Sequence, residues 1–412
     1  MTLSPQRRRK LILILGSIAA IGPLSIDMYL PGFSAIAADL NTTVSRVSLS
    51  LTTYFVGISI GQIIYGPLLD RFGRKPPLLI GFTLYFLAAI GCALATDIVS
   101  FILLRFLLAL GGCVGMVASR AIIRDHFEND EIARAFSSLI LVMGAAPIIA
   151  PTIGGQLVAG PGWRSIFWFL TAYSFALVLL VRFALPESRG RQNSVSLKPR
   201  EIARNYWSVM RNRTFLIYGT AGTIGLASMF TYIAGSPLVI MEILGFDETS
   251  YGWLFGLNAL GFISGSQINK QWLRKRHSEQ VSLIMSGLTL LSALLLLISL
   301  LMGIPSVWFF LACLFLFTSS LGFVNPNLQA IALGPFRENA GVASALVGSI
   351  RMTGGAIASA LVGILANGTA YPMVLLMLGC ALSVSGILLY QRLPLSGKTM
   401  LKPKLEHATA GI

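Results

Sequence analysis

Apolar residues run along this chain in long blocks separated by short polar stretches. The blocks are longer than a helix in a soluble core needs, and most reach the roughly 20 residues that cross a hydrocarbon layer. Twelve spans are predicted, at roughly 11–33, 45–68, 78–96, 99–120, 134–158, 164–185, 214–238, 250–272, 280–302, 306–327, 340–366 and 370–392. Glycine and proline recur inside them, as in membrane helices generally. The longest polar stretch, Pro186 to Arg213, holds Glu187, Ser188, Arg189, Gly190, Arg191, Lys198, Arg200 and Arg204. It divides the chain into an N-terminal six-helix bundle (1–185), a linker (186–213), a C-terminal six-helix bundle (214–395) and a tail (396–412). An amphipathic helix is expected within the linker, near Ile202 to Met210. The fold class is therefore all-α and integral to the membrane, with twelve transmembrane helices in two six-helix bundles.

Composition agrees with lipid as the solvent. The 412 residues are 55% hydrophobic and 11% charged, with a mean hydropathy of +0.77. Soluble domains carry about a quarter charged residues. The formal charge of +15 and pI of about 10.1 would suggest nucleic acid in a soluble protein. Here the thirty-one Lys and Arg are distributed by topology. With the N-terminus placed in the cytoplasm, Arg46 and Arg164 fall on the opposite side, Arg105 and Arg351 fall inside spans, and all the others fall on the cytoplasmic side. This asymmetry orients both termini inwards and sets the basic face against an anionic leaflet, so nucleic-acid binding is not needed to explain it. Arg7-Arg8-Arg9-Lys10 before the first apolar block mimics a secretory signal, but the block runs on to Asp27 and Pro31 and reads as a retained first span. Cys92, Cys113, Cys313 and Cys380 lie in apolar stretches without a CxxC pair and read as small buried hydrophobes. His126, His277 and His407 are expected in loops or the tail, so no metal site is expected.

The two halves share features at one offset. Gly66-Pro67-Leu68-Leu69-Asp70 ends span 2, and Gly265-Ser266-Gln267-Ile268-Asn269 ends span 8, about 200 positions later. Gly154-Gly155 in span 5 returns as Gly354-Gly355 in span 11, again about 200 positions on.

Four segments carry candidate chemistry. The first is Gly66-Pro67-Leu68-Leu69-Asp70-Arg71-Phe72-Gly73-Arg74-Lys75, a tight turn between spans 2 and 3. Its glycines are expected where backbones approach closely. Asp70 is expected to meet a helix N-terminus or an arginine, a pairing that can latch two bundles in one state. The second is Asp27, the one acidic residue of sixteen placed well inside a predicted span. A carboxylate there is protonated, paired or in a wet cavity, all suited to a proton carrier. The other reading of Asp27 is a structural cap at the outer interface. Pro31 breaks the helix nearby. The third is Arg105 in span 4, which needs a partner. Asp27 is the expected one, either for proton coupling or merely to hold helices together. The fourth is Gly144-Ala145-Ala146-Pro147-Ile148-Ile149-Ala150-Pro151-Thr152-Ile153-Gly154-Gly155, where prolines bend span 5 and glycines admit close packing.

The turn between spans 2 and 3 resembles the hallmark loop of the major facilitator superfamily, with Gly66, Asp70, Arg71, Gly73, Arg74 and Lys75 in place. The span 5 segment is similar to the antiporter motif of superfamily drug exporters, at Gly144, Pro147, Pro151, Gly154 and Gly155, with Ala150 where a glycine is usual. Superfamily members carry an arginine at the place of Arg105, linked to proton coupling, and many have a glutamine where this chain has Leu108. Ser25-Ile26-Asp27-Met28-Tyr29-Leu30-Pro31, Arg120-Ala121-Ile122-Ile123-Arg124-Asp125 and Tyr232-Ile233-Ala234-Gly235-Ser236-Pro237 resemble the Bcr/CflA family of bicyclomycin and chloramphenicol resistance exporters. The resemblance runs from about Arg9 to Leu393.

It implies a proton-coupled multidrug efflux antiporter of the bacterial inner membrane, powered by the proton motive force without a cofactor and working as a monomer. The partners implied are a small amphipathic drug, protons and the bilayer. The same fold also admits export of an endogenous metabolite such as an amino acid or a siderophore-like product. An enzyme would require clustered histidines or carboxylates, and only isolated ones occur. A carrier-type gating loop argues against a passive channel. Tyr29, Tyr54, Gln62, Tyr232, Phe255 and Asn258 are the candidate cavity residues, with packing or lipid contact as the alternative for each aromatic. Arg351 in span 11 either faces the cavity or snorkels to the cytoplasmic end.

Overall fold

The computed structural model describes residues 5–127, 129–185, 199–304, 306–336 and 340–392. Among these described residues, twelve α-helices have 20 or more residues: α1 (Pro5–Asp27), α3 (Val44–Phe72), α4 (Lys75–Leu94), α5 (Ile98–His126), α6 (Asn129–Ala159), α7 (Arg164–Phe183), α9 (Arg213–Pro237), α10 (Glu248–Trp272), α11 (Ser278–Leu301), α12 (Val307–Leu333), α13 (Ala340–Leu365) and α14 (Tyr371–Arg392). Two short helices, α2 (Phe33–Asp39) and α8 (Pro199–Met210), complete the set. Ten of the spans are long and apolar enough to cross a membrane among the described residues. The two remaining long helices, α6 and α10, pack against each other.

Polar side chains fix several helix starts by accepting from the first-turn backbone N–H groups: Thr43, Asp97, Asn212, Asp247 and Ser306. The bonds from Ser100 and Ser250, side chain first, hold the exposed carboxyls of Asp97 and Asp247 below the ordinary carboxylate range.

The helix packing repeats. α3 packs on α5 and α10 on α12; α4 packs on α5 and α7, and α11 on α12 and α14; α1 packs on α6, and α9 on α13. Two six-helix bundles result. They join through α3 against α13 and α6 against α10, pairs that exchange under the same repeat. Ile80, Leu103, Phe183, Trp308 and Ile364 point outwards and are more than half exposed. In water such a belt would drive aggregation; in a bilayer it meets hydrocarbon.

Several helices outrun their predicted spans at the end that carries Arg71, Arg74 and Lys75. α3, α5 and α12 continue past their apolar blocks to Phe72, His126 and Leu333. Hydropathy marks the lipid-immersed part, whereas backbone hydrogen bonding continues beyond it. His126 accordingly closes α5, and His277 precedes α11 as its N-cap. The first span differs more. α1 ends at Asp27, and the chain then turns through a 3-10 segment at Leu30–Gly32 before α2. Asp27 thus sits at a helix terminus within the apolar stretch rather than mid-helix.

α8 covers the expected amphipathic segment. Val209 and Tyr206 pack with Phe215, Ala343 and Val347, at the starts of α9 and α13, while Trp207 is exposed. The rest of the linker, 186–198, and the tail, including His407, lie outside the described residues. The end of the molecule that carries Arg71, Arg74 and Lys75 is termed the basic end below, and the other the far end.

Candidate functional site

At the basic end the turn is built around Gly73, which caps α3 with φ +86° and ψ 179°. This region is reserved almost entirely for glycine. Gly66 is different: a Cβ there would meet nothing within 4 Å. The expected close approach at Gly66 is therefore absent, and Gly73 is required by its own backbone. Arg74 then turns inwards, only 3% exposed. Its Nη1 donates to Asp70 Oδ1 at 2.8 Å, its Nε to Asp125 Oδ2 at 2.8 Å and its Nη2 to Asp125 Oδ1 at 3.3 Å. One guanidinium thus ties α3 and α4 to the end of α5, using a two-pronged carboxylate contact that lysine could not reproduce. Gly73→Ala should cost about 1–3 kcal/mol through backbone strain, read as a lowered thermal midpoint of the purified protein.

The far end holds Arg105 and Asp27. Arg105 on α5 is fully buried. Its guanidinium lies 4.0 Å from the ring centre of Tyr29, 4.5 Å from that of Tyr54 and 5.9 Å from that of Phe167. None of its three side-chain nitrogens has a hydrogen-bond acceptor among the described residues. Ring faces thus take the place of the expected Asp27 partner, each contributing roughly 2 kcal/mol when desolvated. Tyr29 and Tyr54 are positioned by Ser50 at 3.3 Å and by the Gly22 carbonyl at 3.4 Å.

Asp27 is 4% exposed and accepts no hydrogen bond or ion pair among the described residues. Its electrostatic neighbours are Tyr54 in its own bundle and Tyr232 and Tyr251 in the other. It therefore sits where the bundles meet. Tyr54 feels both Asp27 and Arg105 and is their common neighbour. Tyr251, which the sequence reading did not single out, is fully buried and bonded to Ser236 at 2.9 Å. Around this point Phe55 and Phe230 meet across the bundles at 4.1 Å between ring centres, and Ser34 reaches Glu242 at 3.4 Å. Met28, Tyr29, Leu30 and Phe33 are fully buried.

The span 5 glycines make this packing possible. A Cβ on Gly154 would lie 1.9 Å from the Met28 carbonyl oxygen, and one on Gly155 would lie 2.5 Å from that of Glu248. Gly252 on α10 reciprocates against the Pro151 carbonyl at 2.6 Å. Gly144 has Ile263 of α10 at 3.5 Å, an ordinary contact. Pro147 and Pro151 lie inside α6. In the second half, Gly354 meets Thr223 and Gly355 the Phe230 ring, both on α9. The repeated glycine pair thus seats α6 on the end of α1 and α13 on α9.

The other predicted cavity residues separate into two groups. Tyr232 stacks on Phe255 at 5.6 Å, and its hydroxyl has no partner among the described residues. Gln62 packs against Gly348, where a Cβ would fall 1.8 Å from its Oε1. Asn258 is instead satisfied within its own bundle: its Nδ2 donates to the Leu254 carbonyl and its Oδ1 accepts from Thr318. Arg351 does not snorkel. It is 8% exposed and donates to Gln329 and, at 3.1 Å, to Asn325, both on α12. No group of three or more potential metal ligands gathers among the described residues.

The sequence model of the Major Facilitator Superfamily matches residues 15–359 and 220–406. The chain belongs to the major facilitator superfamily. It is a multi-pass membrane transporter and not an enzyme, and its relatives include members of the Bcr/CflA family. It is 36% identical to the "Uncharacterized MFS-type transporter YdgK" of Bacillus subtilis (strain 168), over 89% of this chain and 92% of that one. It is 31% identical to the "Bicyclomycin resistance protein homolog" of Haemophilus influenzae, over 90% and 92%. It is 30% identical to the "Multidrug resistance protein MdtL" of Escherichia coli O45:K1, over 89% and 91%. A crystal structure of a bacterial homolog to the human lysosomal transporter Spinster shares the fold, with a TM-score of 0.68 at 13% identity, covering 94% of this chain and 95% of that one. In this superfamily member the hallmark loop is completed by Asp125, a partner that the sequence showed only as an acid at the end of a resembling stretch.

Proposed function

We propose that this transporter is a proton-coupled exporter of small amphipathic drugs in the bacterial inner membrane, with both termini and the basic end in the cytoplasm. The observation that carries the reading is Asp27: a buried carboxyl with no counter-ion among the described residues, at the junction of the two bundles. Such a group is held most cheaply in its neutral form while dry and ionises when the junction opens to water. Rocking of the bundles about α3–α13 and α6–α10 then changes the hydration of Asp27 and the exposure of the substrate space together. The Arg105 charge, held against Tyr29 and Tyr54, biases Asp27 through Tyr54. The Asp70–Arg74–Asp125 clasp, with Arg71 and Lys75 beside it, gates the cytoplasmic side. Tyr232, Phe255, Tyr29, Tyr54 and Gln62 supply the largely apolar lining that suits amphipathic substrates, with Asn258 behind them. The drug-resistance names of two relatives agree with this reading.

The test is a compound panel, including phenicols and bicyclomycin, applied to purified protein with proton release recorded for each ligand. Saturable binding accompanied by proton release, and efflux from proteoliposomes that follows the imposed pH gradient, are the expected results. Binding without proton release, together with efflux indifferent to the gradient, would refute the coupling.

A further inference from the structure

The linker helix α8 packs one face on the C-terminal bundle and leaves the other uncovered. Val209 is buried against Phe215, Ala343 and Val347, at the starts of α9 and α13. On the other side Arg200, Arg204 and Trp207 are exposed. So is Arg211, which follows the helix and keeps its register by donating its backbone N–H to the Trp207 carbonyl at 3.1 Å. At about 100° per residue, these four positions fall within about 60° of one another, and Val209 lies roughly opposite their centre. Residues 199–213 hold four arginines, Arg200, Arg204, Arg211 and Arg213, and one acid, Glu201. All four arginines are exposed, and none of their side chains makes a hydrogen bond or ion pair among the described residues.

Two features distinguish this face from an ordinary solvated one. The first is its single sign of charge. Arg200 and Arg204, one turn apart, repel each other, and interspersed acids would relieve that without loss of solubility. The second is Trp207, 60% exposed in the middle of the arginines. Phe183 at the end of α7 and Tyr390 near the end of α14 are also exposed at the basic end. Exposed rings gathered at one end of a membrane bundle mark the level of the lipid headgroups. The start of α9 shows the same boundary: Arg213 is exposed, and Leu216, one turn further into the span, is exposed beside it. The uncovered face of α8 is therefore a cationic surface with an aromatic centre at headgroup depth.

We propose that the outer face of α8, with Arg200, Arg204 and Arg211 around Trp207, binds the headgroup of an anionic phospholipid in the leaflet at the basic end. Guanidinium groups match phosphate in geometry, and their charge-assisted bonds exceed neutral ones in strength. Arginine stems are long enough to reach a headgroup while the ring stays at the boundary. A lipid fits this face better than a free anion, because it brings apolar surface to Trp207 and Leu216 as well as phosphate to the arginines. Since α8 rests on α13, which meets α3 across the bundles, a bound lipid steadies the outer side of a helix at the bundle contact. The inference depends neither on which molecule is exported nor on proton coupling.

The test uses the full chain in uncharged dodecyl maltoside micelles, titrated with dioctanoyl-phosphatidylglycerol or dioctanoyl-phosphatidylcholine. Stabilisation against thermal unfolding is followed with a thiol-reactive dye, since three of the four free cysteines are buried in the fold. Phosphatidylglycerol should reach half-maximal stabilisation at a concentration about tenfold lower than phosphatidylcholine. The preference should shrink in about 1 M salt, where charges are screened within about 3 Å. Replacing Arg200, Arg204 and Arg211 together by glutamine, which favours helix almost as well, should bring the ratio to about one. The same loss of charge at Arg274, Lys275 and Arg276, exposed in the turn before α11, should leave it unchanged. Where the triple variant fails to fold, Arg204→Gln and Arg211→Gln singly should each lower the preference by up to about fivefold. Equal stabilisation by the two lipids in the parent protein, including none by either, overturns the proposal. So does a preference that survives in the α8 triple variant or in both single ones, or one that is lost in the variant of the turn before α11. Glycerol phosphate acting at the same concentration as phosphatidylglycerol would assign the face to a free anion and likewise overturn it.

Discussion

Asp27→Asn should reduce drug accumulation driven by a pH gradient in proteoliposomes to the level of empty liposomes, while exchange of labelled for unlabelled drug continues. Each proton moved down one pH unit supplies about 1.4 kcal/mol, which sustains a tenfold concentration ratio of a neutral substrate. Only a group that takes up and releases that proton in alternate states transmits this free energy to the drug. Asparagine keeps the volume and polarity of the side chain, and Asp27 makes no hydrogen bond or ion pair among the described residues, so the variant should fold. Full gradient-driven accumulation by Asp27→Asn would exclude Asp27 as the proton carrier and direct attention to a carboxylate outside the far-end junction. Retained exchange is the control that separates lost coupling from lost binding.

The second large effect is structural. Gly154→Val should leave little folded protein, with the residue eluting as aggregate on size exclusion. Its Cβ would sit 1.9 Å from the Met28 carbonyl oxygen and 2.8 Å from the Met28 carbonyl carbon. Both are backbone atoms at the end of α1, which cannot move without carrying Asp27 with them. Overpacking of this kind costs about 3 kcal/mol or more. Gly66→Ala is the comparison: open space surrounds that position, and helix propensity alone should make it neutral or stabilising by up to about 1 kcal/mol. A well-folded Gly154→Val protein would show that the α1–α6 junction is not set by this contact.

These two glycines also show how far the sequence could be read. Both belong to motifs, and in the linear pattern each was an equally good candidate for a close approach. The neighbour that separates them, the Met28 carbonyl, lies on a different helix. The same holds for Arg105. Its burial could be read from an arginine in an apolar block, and its need for a partner followed from desolvation. That the partner is a pair of tyrosine rings, with Tyr54 also neighbouring Asp27, depends on how α1, α3 and α5 pack. Asp125 was visible only as the last residue of a resembling stretch, and Tyr251 not at all, for the same reason.

The chain by itself determined its solvent, its helices and its division into halves. Apolar blocks of span length admit no other solvent, and local backbone hydrogen bonding then makes each block a helix. The offset repeat and the hallmark loop placed those helices in the superfamily fold. Only the tertiary structure decided which charges meet, because the energy of a buried ion depends on atoms a few ångströms away that come from distant positions in the chain. It separated Asp27 from Arg105, joined Arg74 to Asp125, and left Arg351 on the neutral amides of Gln329 and Asn325.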